Sequence, residues 1–235
     1  MNKEFKIQAT DKSGSFYAFA SFPAKLPAPA VVVIQEIFGV NKNMRDICEK
    51  ISQAGYIAVC PDLFWRQEPG IQLTDQSEAE WAKAFQLYQG FDVGTGVDDL
   101  KAALAFIRGD RDCTGKAGTI GYCLGGKLAY LMATGSDADC NVSYYGVGIE
   151  DLLGAAANIA KPLLMHVAEK DQFVPPAARQ KITGALQNNK HVEIHVYPGA
   201  DHAFARIGGQ HYDQGAAQQA NSRTAAFLAA HLVKA

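Results

Sequence analysis

The run AVVVIQ at residues 30–35 limits the fold more than any other stretch. Five apolar residues in a row leave no polar face, which predicts a strand buried on both sides. Such a strand needs helices above and below it, and the rest of the chain supplies them in alternation. NKNMRDICEKISQAGY (41–56) has helical spacing, with Met44, Ile47 and Ile51 on one stripe and Gly55 as its stop. IAVCPDLF (57–64) reads as a strand, and EAEWAKAFQLYQ (78–89) and VDDLKAALAFIRG (97–109) as helices. GTIGY (118–122), NVSYYG (141–146), PLLMHVAEKD (162–171) and VEIHVYPG (192–199) are further strands. Between and after them come the helices LGGKLAYLMATG (124–135), PPAARQKITGALQNN (175–189) and AAQQANSRTAAFLAAHLVKA (216–235). Before AVVVIQ, the alternating runs EFKIQAT and SFYAFASFP flank the turn DKSG and read as a hairpin. The expectation is an α/β fold. It has a mostly parallel eight-stranded sheet, an N-terminal antiparallel hairpin and helices on both faces, in one domain over 1–235.

Composition narrows the function classes. A net charge of −2 without a basic block argues against nucleic acid or an anionic membrane as partner. No apolar run approaches the length of a membrane-spanning helix, and MNKEFKIQATD lacks the apolar core of a signal peptide. The five cysteines, Cys48, Cys60, Cys113, Cys123 and Cys140, are odd in number and form no CxxC pair. Free thiols in a reducing cytoplasm are the simplest reading, with Cys48, Cys60, Cys113 and Cys140 as buried packing residues. No cluster has zinc-ligand spacing and no glycine-rich phosphate loop stands before a helix, so no metal or organic cofactor is expected.

Cys123 differs from the other four by its frame, Gly121-x-Cys123-x-Gly125. This is the shape of a nucleophile elbow, with sulfur in place of oxygen. It lies between a predicted strand and a predicted helix. The tight turn would lift the side chain above the sheet, the glycines would relieve crowding, and the helix N-terminus would favour thiolate. A thiol nucleophile needs a base and the base an orienter. Asp171 ends one predicted strand and His202 follows the last. The order Cys123, Asp171, His202 is thus nucleophile, acid, base, each at the carboxyl end of a strand. Asp171 alone could equally cap the helix that follows it, and His166, His191, His195, His211 and His231 read as surface or structural. Glu36, in QEIFG after the buried strand, would face a pocket walled by Ile37 and Phe38, where burial could raise its pKa.

These residues resemble the dienelactone hydrolases (carboxymethylenebutenolidases) of the α/β-hydrolase fold. The likeness runs through QEIFGVN (35–41), GYIAVCPDL (55–63), GYCLGG (121–126), YYGVG (144–148), DQFVP (171–175) and ADHAFAR (200–206). It implies that Cys123 is the nucleophile, His202 the base and Asp171 its orienter, with Glu36 taking up the thiol proton. It implies oxyanion donors at the backbone N–H groups of Ile37 and Leu124. Of the two arginines with which the family grips a substrate carboxylate, one falls on Arg206; at the other stands Trp81. Phe85 replaces an aromatic hydroxyl, and Tyr144 is retained. The implied activity is hydrolysis of an enol-lactone, dienelactone to maleylacetate, by a cytoplasmic monomer whose partner is a small lactone or ester. The pocket should be more apolar than in dienelactone specialists. Three alternatives stand beside this: a carboxylesterase of broader range, favoured by Trp81; a redox-sensing thiol, which would need Cys60 or Cys140 close in space; and a binding protein on a hydrolase scaffold.

Overall fold

The computed structural model describes Met1–Val233. Among the described residues the strands number eight, in a mostly parallel sheet with helices around it. The chain divides into two compact units, Met1–Gly118 and the stretch from Thr119 onward. No helix among the described residues is long and apolar enough to cross a membrane.

In the first unit, β1 (Asn2–Gln8) and β2 (Ser15–Ser21) form the expected hairpin, with Ile7 opposite Phe16. The Asp11 carboxylate accepts the Ser13 N–H at 2.9 Å and closes the turn. β4 (Ile57–Pro61) pairs antiparallel with β2 and parallel with β3 (Ala28–Ile34), giving the order β1-β2-β4-β3. Val31 to Ile34 are fully buried, as a strand without a polar face must be. α1 (Lys42–Gln53) starts where the Asn41 side chain accepts the Met44 N–H at 3.1 Å. Its buried stripe is Met44, Cys48 and Ser52, with Ile47 and Ile51 half-buried beside it. A serine can occupy the buried row because its hydroxyl donates to Glu49 O and accepts from Ser21.

α2 (Glu78–Gln89) is capped by Ser77 and α3 (Val93–Arg108) by Asp92. α3 begins four residues before the expected start at Val97. Gly94 and Gly96 stand in the added turn, where Asp92 accepts the Thr95 N–H at 2.7 Å and holds it. A Cβ on Gly96 would meet the Phe91 ring at 2.3 Å, so the glycine lets that ring lie against the helix.

In the second unit, the end of β5 (Cys113–Tyr122) pairs with β6 (Asn141–Tyr144). β6 then pairs with β7 (Leu163–Ala168) and β7 with β8 (Val192–Tyr197), all parallel. α4 (Leu124–Gly135), α5 (Pro176–Leu186) and α6 (Gln214–Leu228) are its helices. Two short 3₁₀ turns at Ile149–Asp151 and Leu153–Asn158 had no periodic signal. The closing helix is α-helical to Leu228 and ends in a wider turn over Ala229–Val233; the last two residues of that prediction lie outside the described ones.

Candidate active site

β5 runs into α4 through a single residue, Cys123, whose φ is +56°. A non-glycine residue is held there only when its surroundings enforce it, at a cost of about 1–3 kcal/mol. The enforcement is close packing. A Cβ on Gly121 would lie 1.8 Å from the carbonyl oxygen of Gly125, and one on Gly126 would lie 2.5 Å from that of Tyr144. The Cys123 N–H donates to Tyr144 O at 3.1 Å, and its carbonyl accepts Lys127 N–H at 3.2 Å. Its side chain makes no capping bond, which leaves the sulfur at the positive end of α4. Leu124, the first residue of α4, presents a backbone N–H from the turn that has no partner within the helix.

The loop after β7 carries Asp171. It is not a cap, because α5 starts with Pro176 and its N-cap is Pro175. Its carboxylate instead accepts the Phe173 N–H at 2.8 Å on Oδ1 and meets His202 Nδ1 at 2.7 Å on Oδ2. His202 follows β8 in a turn where Ala203 has a φ of +61°. Both members of the pair are buried. Burial works against a charge on His202. Its interactions with the Cys123 sulfur and the Asp171 carboxylate outweigh it and push the pKa up to about 10. Cys123, His202 and Asp171 thus form one hydrogen-bonded line. Arg206 is buried four residues beyond the histidine, its N–H donating to Ala203 O at 2.9 Å.

Burial pushes Cys140 up to about 12, with Asp139 adding to it, and burial also raises Cys48. Cys113 is half-buried rather than buried, its sulfur 3.7 Å from Lys116 O.

In the first unit, Glu36, Ile37 and Phe38 are all buried in the turn after β3. Gln35 fixes the turn by accepting Leu63 N–H at 3.1 Å. Gly39, with a φ of +75°, brings it against Ile71, where a Cβ would lie 2.0 Å from the carbonyl oxygen. Phe38 meets Trp81 edge-on at 5.0 Å, and Trp81 stacks on Phe85 at 5.5 Å. The indole N–H donates to Asp75 O at 3.1 Å, so Trp81 is pinned. The result is an aromatic column from a buried phenylalanine to an exposed one.

Tyr144 is another residue expected at the substrate. It is fully buried, and its hydroxyl is taken up by Thr224 at 2.7 Å and Asn221 at 3.0 Å. The register explains this: Tyr122, Tyr144 and His166 are paired neighbours on adjacent strands, so their rings share one face, Tyr122 stacked on Tyr144 and His166 tilted against it.

A sequence profile of the dienelactone hydrolase family matches residues 16–232. The chain belongs to the dienelactone hydrolase family. It is 43% identical to a carboxymethylenebutenolidase of Pseudomonas putida over 97% of both chains. It is 52% identical to a protein of Azospirillum brasilense provisionally named carboxymethylenebutenolidase, over 97% of this chain and 99% of that one. A provisionally named dienelactone hydrolase of Klebsiella pneumoniae superposes with a TM-score of 0.84 at 27% identity, covering 97% of this chain and 99% of that one. This family member is therefore a hydrolase on the α/β-hydrolase fold.

Two residues of this dienelactone hydrolase family chain went unnoticed in the sequence. Tyr145, with a φ of +37°, turns out of the strand alternation and brings its ring to 5.2 Å from His202. Phe173 meets the same imidazole at 4.8 Å. The only available signals were the doubled tyrosine before Gly146 and the place of Phe173 two residues after Asp171.

Proposed function

We propose that the chain is a cysteine-dependent hydrolase that opens an enol-lactone, dienelactone giving maleylacetate, through an acyl-thioester on Cys123. The observation that supports this most is the line Cys123–His202–Asp171 within one compact unit, starting at a strained elbow. The Cys123 sulfur adds to the lactone carbonyl carbon, and the carbonyl π pair moves to oxygen. The N–H groups of Ile37 and Leu124 receive that oxyanion. The oxyanion collapses, the ring C–O bond breaks, and the departing enol oxygen takes a proton from the imidazolium of His202. Water then attacks the thioester, giving its proton to His202 as the Cys123 sulfur leaves with its electron pair. Asp171 holds the imidazole in the tautomer that serves both steps. Glu36 takes up the thiol proton when substrate arrives and returns it to the Cys123 sulfur once the acyl group has left, and Arg206 meets the substrate carboxylate with paired N–H donors. A single-domain, cytoplasmic, monomeric enzyme belongs to the same proposal.

A second reading is favoured by the Phe38–Trp81–Phe85 column, which offers ring surface where a two-arginine site offers charge. On it, neutral aryl or alkyl esters are the better substrates. Turnover of dienelactone beside p-nitrophenyl acetate, for the wild type and Arg206→Ala, tests both. One charge-assisted hydrogen bond is worth roughly 1.5–3 kcal/mol, or about ten- to a hundredfold in kcat/KM. The proposal predicts that loss on dienelactone and little change on the neutral ester. Equal losses on both substrates would remove Arg206 from substrate binding.

A further inference from the structure

Among the described residues four non-glycine residues have positive φ, and three of them, Cys123, Tyr145 and Ala203, belong to the second unit and to the turns around His202. Cys123 belongs to the elbow and Ala203 to the histidine turn. Tyr145 has no part in the chemistry above, yet it holds a strained backbone that aims its ring at His202, 5.2 Å away with the planes at 64°. Phe204 packs against the far partner of this contact, its ring 5.5 Å from that of Tyr145. Phe173 provides the second contact, 4.8 Å from the imidazole at 75°. It is also tied to the carboxylate. Its own N–H donates to Asp171 Oδ1 at 2.8 Å, while Oδ2 of the same group meets His202 Nδ1 at 2.7 Å. The turn is closed by Val174 N–H on Asp171 O at 3.2 Å, and Val174 is buried. One residue thus grips both members of the pair, Asp171 by its main chain and His202 by its ring.

We propose that Phe173 and Tyr145 are positioning residues that clamp the His202 imidazole, so that Nδ1 stays on Asp171 and Nε2 stays toward Cys123, and that Phe173 shuts water out from the Asp171–His202 hydrogen bond. The terminal torsion of a histidine is broad and soft, and one hydrogen bond at Nδ1 leaves the ring free to rock. Two aromatic edge contacts remove that freedom. Phe173 is 39% exposed, so its ring lies between solvent and the pair and is a cover rather than a core residue. Excluding water from the hydrogen bond strengthens it and slows proton exchange.

The functional part of this inference rests on His202 acting as the base; the clamp itself does not. The test compares wild type, Phe173→Ala and Phe173→Leu by two readouts. The first is the downfield imidazole N–H proton resonance of ¹⁵N-histidine-labelled protein, which reports the shielded hydrogen bond without any substrate. The second is kcat and KM on p-nitrophenyl acetate. In Phe173→Ala the resonance should broaden by exchange with water. kcat should fall about ten- to a hundredfold, as for a slightly misplaced catalytic group, with KM unchanged. Leucine, which keeps apolar cover, should restore part of both. A sharp resonance and wild-type kcat in Phe173→Ala would overturn the proposal. So would a raised KM with unchanged kcat, which would make the ring a wall for substrate. A broadened resonance with untouched turnover would uphold the clamp and overturn its part in turnover.

Discussion

His166 makes this protein sensitive to acid in a way that can be calculated. It sits mid-strand on β7, fully buried, between Tyr144 and His195 in register. Nδ1 lies 2.8 Å from the Tyr197 hydroxyl and Nε2 lies 2.9 Å from that of Thr224. Burial above all, then His195 and Arg223, oppose a positive charge there and push its pKa down to about 3. Arg223 also donates to the Tyr197 hydroxyl at 2.9 Å, which places a fixed cation on the same network. The unfolded chain protonates this imidazole near pH 6.5, while the folded chain refuses the proton until about pH 3. Between those values the unfolded state binds the extra proton, so stability falls as pH falls, by roughly 1.4 kcal/mol per unit. Integrated from pH 7.5 to pH 5, the loss is about 2 kcal/mol from this residue alone, rising to about 4 kcal/mol by pH 3. Urea unfolding followed by circular dichroism at pH 7.5, 6 and 5 measures it. His166→Gln keeps polar ends for the two hydroxyls but cannot titrate. It should be less stable at pH 7.5 and lose about 2 kcal/mol less than wild type on going to pH 5. Parallel pH curves for the two proteins would refute the reasoning.

The elbow and the buried carboxylate give two sharper tests. Gly121→Ala puts a Cβ 1.8 Å from a carbonyl oxygen, so it should lower Tm by an amount equivalent to at least about 1–3 kcal/mol and abolish turnover; an unchanged Tm would mean the packing at the elbow is looser than described. Glu36→Gln is close in volume and should leave Tm within a degree or so while lowering kcat by about 10²–10⁴-fold; an unaffected rate would return Glu36 to a packing role.

The strand and helix order could be read from the chain because each element shows a clean period: the unbroken AVVVI run, the alternating hairpin, the apolar stripes. Cys123 and its glycines could be read because only a steric demand puts glycine at fixed offsets from one thiol, and the Gly121–Gly125 approach is that demand. What escaped the sequence follows from effects that leave no period. Tyr144 and Tyr145 are adjacent and chemically alike. A φ of +37° at the second decides which ring reaches His202, and parity along a strand says nothing about the residue that leaves it. The first turn of α3 holds two glycines, Gly94 and Gly96, and their cost is offset by the local Asp92 cap and the Phe91 ring, neither of which adds to the apolar period. Ser52 entered the buried stripe of α1 because Ser21, thirty-one residues away, satisfies its hydroxyl.

The most direct test of the central claim is the mass of Cys123 during turnover. His202→Gln lacks the base for deacylation, so mixing it with p-nitrophenyl acetate and quenching in acid should leave an acetyl group on the peptide that carries Cys123. Cys123→Ala should show neither the acetylated peptide nor catalysis, and iodoacetamide should inactivate wild type in step with labelling of that one thiol. An unmodified Cys123 peptide in the quenched His202→Gln enzyme, together with wild-type turnover by Cys123→Ala, would contradict the account.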